Sequence, residues 1–302
     1  MATVASNVPN ASNAKSSRRI KTTQGAAGRA LRIVIIYALL IGIGAAFLLP
    51  FLWAVTSSLR SAGAGLRFPP EFLPKEFNFA NYPKVFEMIP FARFFGNSIL
   101  VTTISVIGEC LSASFVAFGF ARLRFPGRNV LFVVLLTTMM IPYPVTMIPT
   151  FILWVRGLGM ANTFGPLIIP PFFGPAFSIF LLRQFFLTVS MELDEAAKVD
   201  GANEFRIYWQ IILPLAKPAL ATIAIFSFIA TWNDFLTPLI YLSDSNLYTL
   251  ALGINFLRNF RGGGELAYQM AATIMFVTPS IIIYFVSQRY VIEGIVTTGL
   301  KG

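Results

Sequence analysis

Five carboxylates stand close together in this chain of 302 residues: Glu192, Asp194, Glu195, Asp200 and Glu204. Acids, His or Cys gathered at one place could hold a metal or move protons. Here the usual partners are missing. There is no His, and Cys110 is the one Cys. That excludes an internal disulfide and argues against a zinc site or a Cys-His or Ser-His pair. No Gly-x-x-x-x-Gly-Lys-Ser/Thr loop occurs, so the chain carries no phosphate cradle of its own. A membrane-embedded enzyme would need several such groups at one depth, and only Glu109 lies midway along an apolar run. The acids must therefore be explained by the elements that carry them.

Those elements are apolar. The chain is 56% hydrophobic and 12% charged, against about 25% charged in an ordinary soluble domain. Six segments reach the roughly 20 residues that a membrane crossing needs: 32–56, 97–121, 129–155, 163–186, 214–241 and 268–290. The sequence thus predicts an all-α integral membrane protein with six transmembrane helices. Of the 23 Lys/Arg, 15 fall on one side, in the first 32 residues, the "RLRFPGR" loop, the fourth connection and the C-terminal end. The richer side is cytoplasmic, which puts both termini inside. The charge of +10 then reflects basic cytoplasmic flanks rather than nucleic-acid binding. The first apolar run exceeds the h-region of a signal peptide and reads as a span.

Four regions are expected: a disordered basic cytoplasmic tail (1–31), the first span with an external loop (32–96), a core (97–291) and a cytoplasmic tail (292–302). In the external loop, Tyr82, Val85, Phe86 and Ile89 recur at helical spacing, predicting a short helix at the outer interface. The later external loop, 242–267, is long enough to contact a partner.

The acidic segment lies on the cytoplasmic side between the fourth and fifth spans. Ser190 is placed to cap a helix whose first turns hold Glu192, Asp194 and Glu195, where acids favour the positive helix end. Gly201 would end it in a left-handed conformation. A second helix follows, with Phe205, Tyr208, Trp209 and Ile212 on one apolar face. Pro214 then starts the fifth span. Ala196 and Ala197 are small enough to let another protein approach. The alternative is a surface helix that only links two spans.

Within this segment "EAAKVDGANEFRIYWQIILP" resembles the EAA signature of permease subunits of bacterial ABC importers. Glu195, Ala196, Ala197, Gly201, Ile211, Leu213 and Pro214 meet every position of that signature. "NYPKVFEMIPFARFFGNSIL", "TWNDFLTPL" and "QRYVIEGIVTTGLKG" are similar to the carbohydrate-uptake branch, and the last to its MalG-type subunits. The resemblance covers about residues 80–302. It implies the type I importer permease fold, with coupling helices at about 190–210 docked in a cleft of a separate ATPase. It also implies that Gly294, Gly299, Lys301 and Gly302 reach the ATPase through the C-terminal tail. The implied partners are a MalF-like permease subunit, an ATPase dimer that uses ATP and Mg, an extracellular or periplasmic solute-binding protein, and membrane lipid. The chain itself would bind no cofactor and catalyse nothing. The implied place is the prokaryotic cytoplasmic (inner) membrane, and the implied solute is an oligosaccharide or disaccharide. A polyol or a glycerol phosphate is the alternative.

Ionisable groups at membrane depth call for a functional reading. Thr102, Ser105, Glu109 and Ser112 form one polar stripe, which faces the protein interior or an aqueous cavity. It lines the solute path or braces two helices. Trp232, Asn233 and Asp234, in the outer third of the fifth span, suit a sugar or an outer gate, and are also ordinary interface residues. Pro142, Pro144 and Pro149 cannot share one straight helix, so the third span is expected to kink near its middle as a gate or as a static bend. "FGPLIIPPFFGPAF" predicts the same for the fourth.

Overall fold

The computed structural model describes residues 26–61, 73–74, 76–258 and 266–299. Among them every regular element is helical. Four helices are long and apolar enough to cross a membrane, and two bent pairs bring the number to six. The basic tail before residue 26 lies outside the described residues.

The chain divides into two units, Met1–Leu52 and Trp53–Gly302. Helix α1 (Ala26–Ser58) starts six residues earlier than the apolar run suggests. Within the first unit its Leu, Ile, Val and Phe side chains are exposed all round, as expected of a span facing hydrocarbon.

In the second unit the chain after Trp53 is tied to α2 (Asn81–Met88). The buried Asn81 donates from Nδ2 to the carbonyls of Ser58 and Arg60, at 2.7 and 2.8 Å, satisfying acceptors that a helix end leaves open. Val85 and Ile89 are buried in a cluster with Phe91, Phe94, Trp232, Leu250 and Leu257. Only Phe86 of the expected apolar set is well exposed.

Helix α3 (Phe91–Arg122) is the central strut. Ala113, Ala117 and Ala121 recur every four residues and are buried, so neighbouring backbones can approach closely. The third span is broken as its prolines require. It comprises α4 (Arg128–Thr138) and α5 (Tyr143–Ile152), the latter continued by a π-turn to Gly157, and the two halves diverge by 96°. Pro142 is extended, with ψ 139°, and supplies no N–H to carry the helix across.

The fourth span is interrupted too. After α6 (Gly165–Ile168) comes a 3₁₀ turn, Pro170–Phe173, then Gly174 at φ 73°, then α7 (Ala176–Thr188). The acidic segment forms α8 (Glu192–Val199), α9 (Glu204–Ile207), a π-turn and α10 (Leu213–Leu215). The fifth span differs from expectation. Pro214 lies in α10, and the span α11 (Lys217–Trp232) begins after a 77° bend. It ends at Trp232 because the Asp234 carboxylate accepts the Thr237 N–H (3.1 Å) and starts α12 (Leu236–Tyr241).

The described part of the 242–267 loop is folded against α3. Ser98 Oγ accepts the Leu250 N–H at 2.7 Å, and Asn97 Nδ2 donates to the Asn246 and Tyr248 carbonyls. Helix α13 (Leu250–Ile254) follows. Helix α14 (Leu266–Gly299) runs past the expected end of the sixth span. Gly294 and Gly299 sit in this helix. Lys301 and Gly302 lie outside the described residues.

Candidate functional site

The acidic segment is built by local rules. Ser190 Oγ accepts the Glu192 N–H at 3.2 Å, one position earlier than a standard cap. At the other end Gly201 N–H donates to Lys198 C=O (3.0 Å) and Ala202 N–H to Ala197 C=O (2.9 Å), the paired bonds of a Schellman motif. Gly201 has φ +80°, a conformation a Cβ opposes. Asn203 Oδ1 then caps α9 by accepting the Arg206 N–H at 2.8 Å. Lys198 and Glu204 pair across the turn at 2.6 Å. That pair is half exposed, so its contribution is about 1 kcal/mol or less.

Tertiary contacts decide which face looks in. Asp194, Ala197, Ile207, Tyr208 and Ile212 are buried, against Ala117, Phe118, Ala121 and α7. Tyr208 OH and Ser114 Oγ share a hydrogen bond at 2.8 Å, tying the segment to α3. The outward face carries Glu195, Ala196 and Val199, with Phe205 and Trp209 beyond. This corrects the expected apolar face of the second helix: Phe205 and Trp209 point out, and Ile207 takes their place inside. The two alanines also separate, since Ala196 is exposed while Ala197 gives the close approach to the core. Ile211 and Leu213 are half-buried, and Pro214 is exposed.

One anchor had no signal in the sequence. Arg122, the last residue of α3, lies 3.6 Å from Asp194, with the two side chains 2% and 5% exposed. Arg122 also donates to Val189 C=O (3.0 Å) and meets the Met191 sulfur. Burial pushes the Asp194 carboxyl above its ordinary 3.8, and Arg122 and then Lys198 pull it back.

The polar stripe of α3 faces the fourth span. Ser112 Oγ donates to Pro171 C=O at 2.8 Å, Ser105 Oγ to Leu167 C=O at 3.4 Å, and Ser178 Oγ to the Glu109 carboxylate. All three bonds run between helices, the geometry of a brace. Glu109→Leu should therefore lower the melting temperature of the purified protein. Glu109→Gln, which keeps an acceptor for Ser178, should lower it less. A hydrogen bond to a charged group contributes about 1.5–3 kcal/mol. Loss of transport in the Leu variant at unchanged stability would favour the solute path instead.

Trp232 is corrected as a sugar contact. It stacks on Phe228 and on Phe276, and Nε1 donates to Phe276 C=O at 2.9 Å. At 1% exposure it offers no face to a solute. Asn233 and Asp234 are more open: Asn233 Nδ2 donates to the Ile229 carbonyl, and Asp234 Oδ1 accepts the Thr237 N–H. Pro142 is exposed at the break of the third span. Among the described residues no group of three or more His, Cys, Asp or Glu could hold a metal ion.

Comparisons agree with this geometry. Residues 111–296 match the family described as binding-protein-dependent transport system inner membrane component. The chain is 33% identical over 262 residues to the arabinooligosaccharides transport system permease protein AraQ of Bacillus subtilis (strain 168), covering 85% of this chain and 91% of AraQ. It is 32% identical over 265 residues to the diacetylchitobiose uptake system permease protein NgcG of Streptomyces coelicolor, covering 87% of each. Its fold is similar to a chain of a bacterial ABC transporter involved in the import of the acidic polysaccharide alginate, with a TM-score of 0.76 and 30% identity over 88% of this chain and 98% of that one. The bent spans, the anchored helix–glycine–helix segment and the match over 111–296 have one reading: this chain belongs to the family of inner-membrane components of binding-protein-dependent transport systems.

Proposed function

We propose that the chain is one permease half of an ATP-driven importer of a neutral oligosaccharide or disaccharide in a prokaryotic inner membrane. It pairs with a second, MalF-like permease subunit. A solute-binding protein delivers the sugar from outside, and a separate ATPase dimer hydrolyses ATP with Mg on the cytoplasmic side. The observation that carries this reading is the α8–α9 segment, fixed to α3 on one face and presenting Glu195, Ala196, Val199 and Phe205 on the other. The names of AraQ and NgcG favour a carbohydrate.

A neutral solute is favoured by a cavity of about 410 Å³ beside the end of α11. Phe235, Asn255, Gln269 and Thr273 are among its lining, and none of the described residues that line it is ionisable. An aromatic edge with amides and a hydroxyl suits sugar hydroxyls.

The test is reconstitution of the complex in vesicles with its ATPase, partner permease and binding protein. ATP hydrolysis should rise with binding protein plus a neutral oligosaccharide, and should vanish when this chain is omitted. Stimulation by glycerol phosphate and by no sugar would overturn the solute class. Stimulation that survives without this chain would overturn the permease role.

A further inference from the structure

The loop between α3 and α4 bounds a second cavity, of about 380 Å³, lined by Arg124, Phe125, Gly127, Arg128, Asn129 and Val130. Arg128 Nη1 is held by the Leu123 carbonyl at 3.1 Å. Three residues before Leu123, the Phe120 carbonyl holds Arg183 of α7. Arg183 is itself held in place, with Nε donating to Phe120 C=O (3.3 Å) and the guanidinium 4.0 Å above the Phe132 ring. The ion pairs among the described residues are Lys84–Glu87, Arg122–Asp194 and Lys198–Glu204. Arg124, Arg128 and Arg183 thus have no described carboxylate within ion-pair reach. Like charges held together at the edge of a low-dielectric region need an anion to offset their repulsion.

What lies below the arginines indicates which anion. Val130 lines the cavity, and Val133 and Val134 follow it at i+3 and i+4 on α4, all more than half exposed. They make an apolar ridge running into the membrane from a cationic mouth. Guanidinium groups match phosphate oxygens, and the ridge matches an acyl chain. Free phosphate would use the mouth alone.

We propose that this cavity binds the headgroup phosphate of an anionic phospholipid, with an acyl chain along Val130, Val133 and Val134. Arg124 and Arg128 are the ligands, and Arg183 supplies a third charge. Arg122, two residues before Arg124, holds the coupling segment, so the bound lipid also steadies the base of that anchor.

Native mass spectrometry of the full chain copurified with its partner subunits tests this, using phosphatidylglycerol and phosphatidylcholine as probes. The parent should prefer phosphatidylglycerol. Arg124→Gln/Arg128→Gln should lose about tenfold to thirtyfold of that affinity, with phosphatidylcholine binding unchanged. Arg124→Gln alone leaves the Arg128–Leu123 bond intact and should show part of the loss. Arg206→Gln, on the coupling segment, should show none. Equal binding of the two lipids by the parent, or unchanged phosphatidylglycerol binding by the double variant, overturns the site. Displacement of the lipid by inorganic phosphate would make it a free-anion site and overturn the lipid assignment.

Discussion

Arg122→Met should release the α8–α9 segment from α3 while leaving the spans inserted. The substitution removes the cation and leaves the Asp194 carboxylate buried, with Oδ1 already lacking a hydrogen-bond partner. Breaking one side of a buried pair costs about 3–5 kcal/mol. Trypsin should then cut faster at the exposed Lys198 and Arg206, and copurification of the ATPase should fall. The double variant Arg122→Met/Asp194→Leu should recover most of the parent's protease resistance, because no uncompensated charge remains. The pH dependence gives a second readout. Burial raises the Asp194 carboxyl above 3.8 in the folded state, so the docked segment holds this proton more tightly than the released one. Docking is strongest below the unfolded value and weakens as pH rises through the raised value. Without Arg122 the carboxyl rises further, and mild acid should partly restore protection. Protease resistance equal to the parent's at neutral pH in Arg122→Met would show that the pair is no anchor.

That pair was invisible in the sequence, whereas Gly201 was not, and the contrast is physical. A left-handed residue between two helices, or a proline that withholds an N–H at position 142, acts within a few residues and leaves its mark locally. The glycine conformation and the broken third span could both be read in advance. Arg122 and Asp194 are distant in sequence, and each looked ordinary: a basic helix end and an acid in a first turn. Burial of apolar faces was read least well. Hydrocarbon is as apolar as Leu, so periodicity does not separate a lipid face from a core face. Trp232, which suits a sugar, a gate or an interface in the sequence, and Val85 and Ile89, which suit an interfacial helix, are core, while Phe205 and Trp209, which share an apolar face with Tyr208 and Ile212 by spacing, are exposed. The fifth span was drawn too long because Asp234 reads as one polar residue in a greasy run. Its bond to the Thr237 N–H makes it a helix start.

Val199→Asp combined with Phe205→Ala should weaken capture of the ATPase about 100-fold or more without unfolding the chain. Val199 is 87% exposed and Phe205 63% exposed. Val199 is not among the inward positions of the segment, Asp194, Ala197, Ile207, Tyr208 and Ile212, and Phe205 meets them at the Tyr208 ring. Glu195 and Ala196 lie one turn before Val199, so the three form a single face. Covering a Phe or Val side chain contributes about 1.5–3 kcal/mol, and each 1.4 kcal/mol is tenfold in affinity. Gly201→Asp acts by another route: at φ +80° a Cβ strains the turn by about 1–2 kcal/mol and should tilt α8 against α9. Glu195→Lys changes charge and leaves the backbone alone. A common loss of ATPase capture across these variants, at parental melting temperature for the surface ones, would trace the effect to the face itself. If capture and transport survive Val199→Asp/Phe205→Ala, the ATPase docks elsewhere and α8–α9 is only a link between two spans.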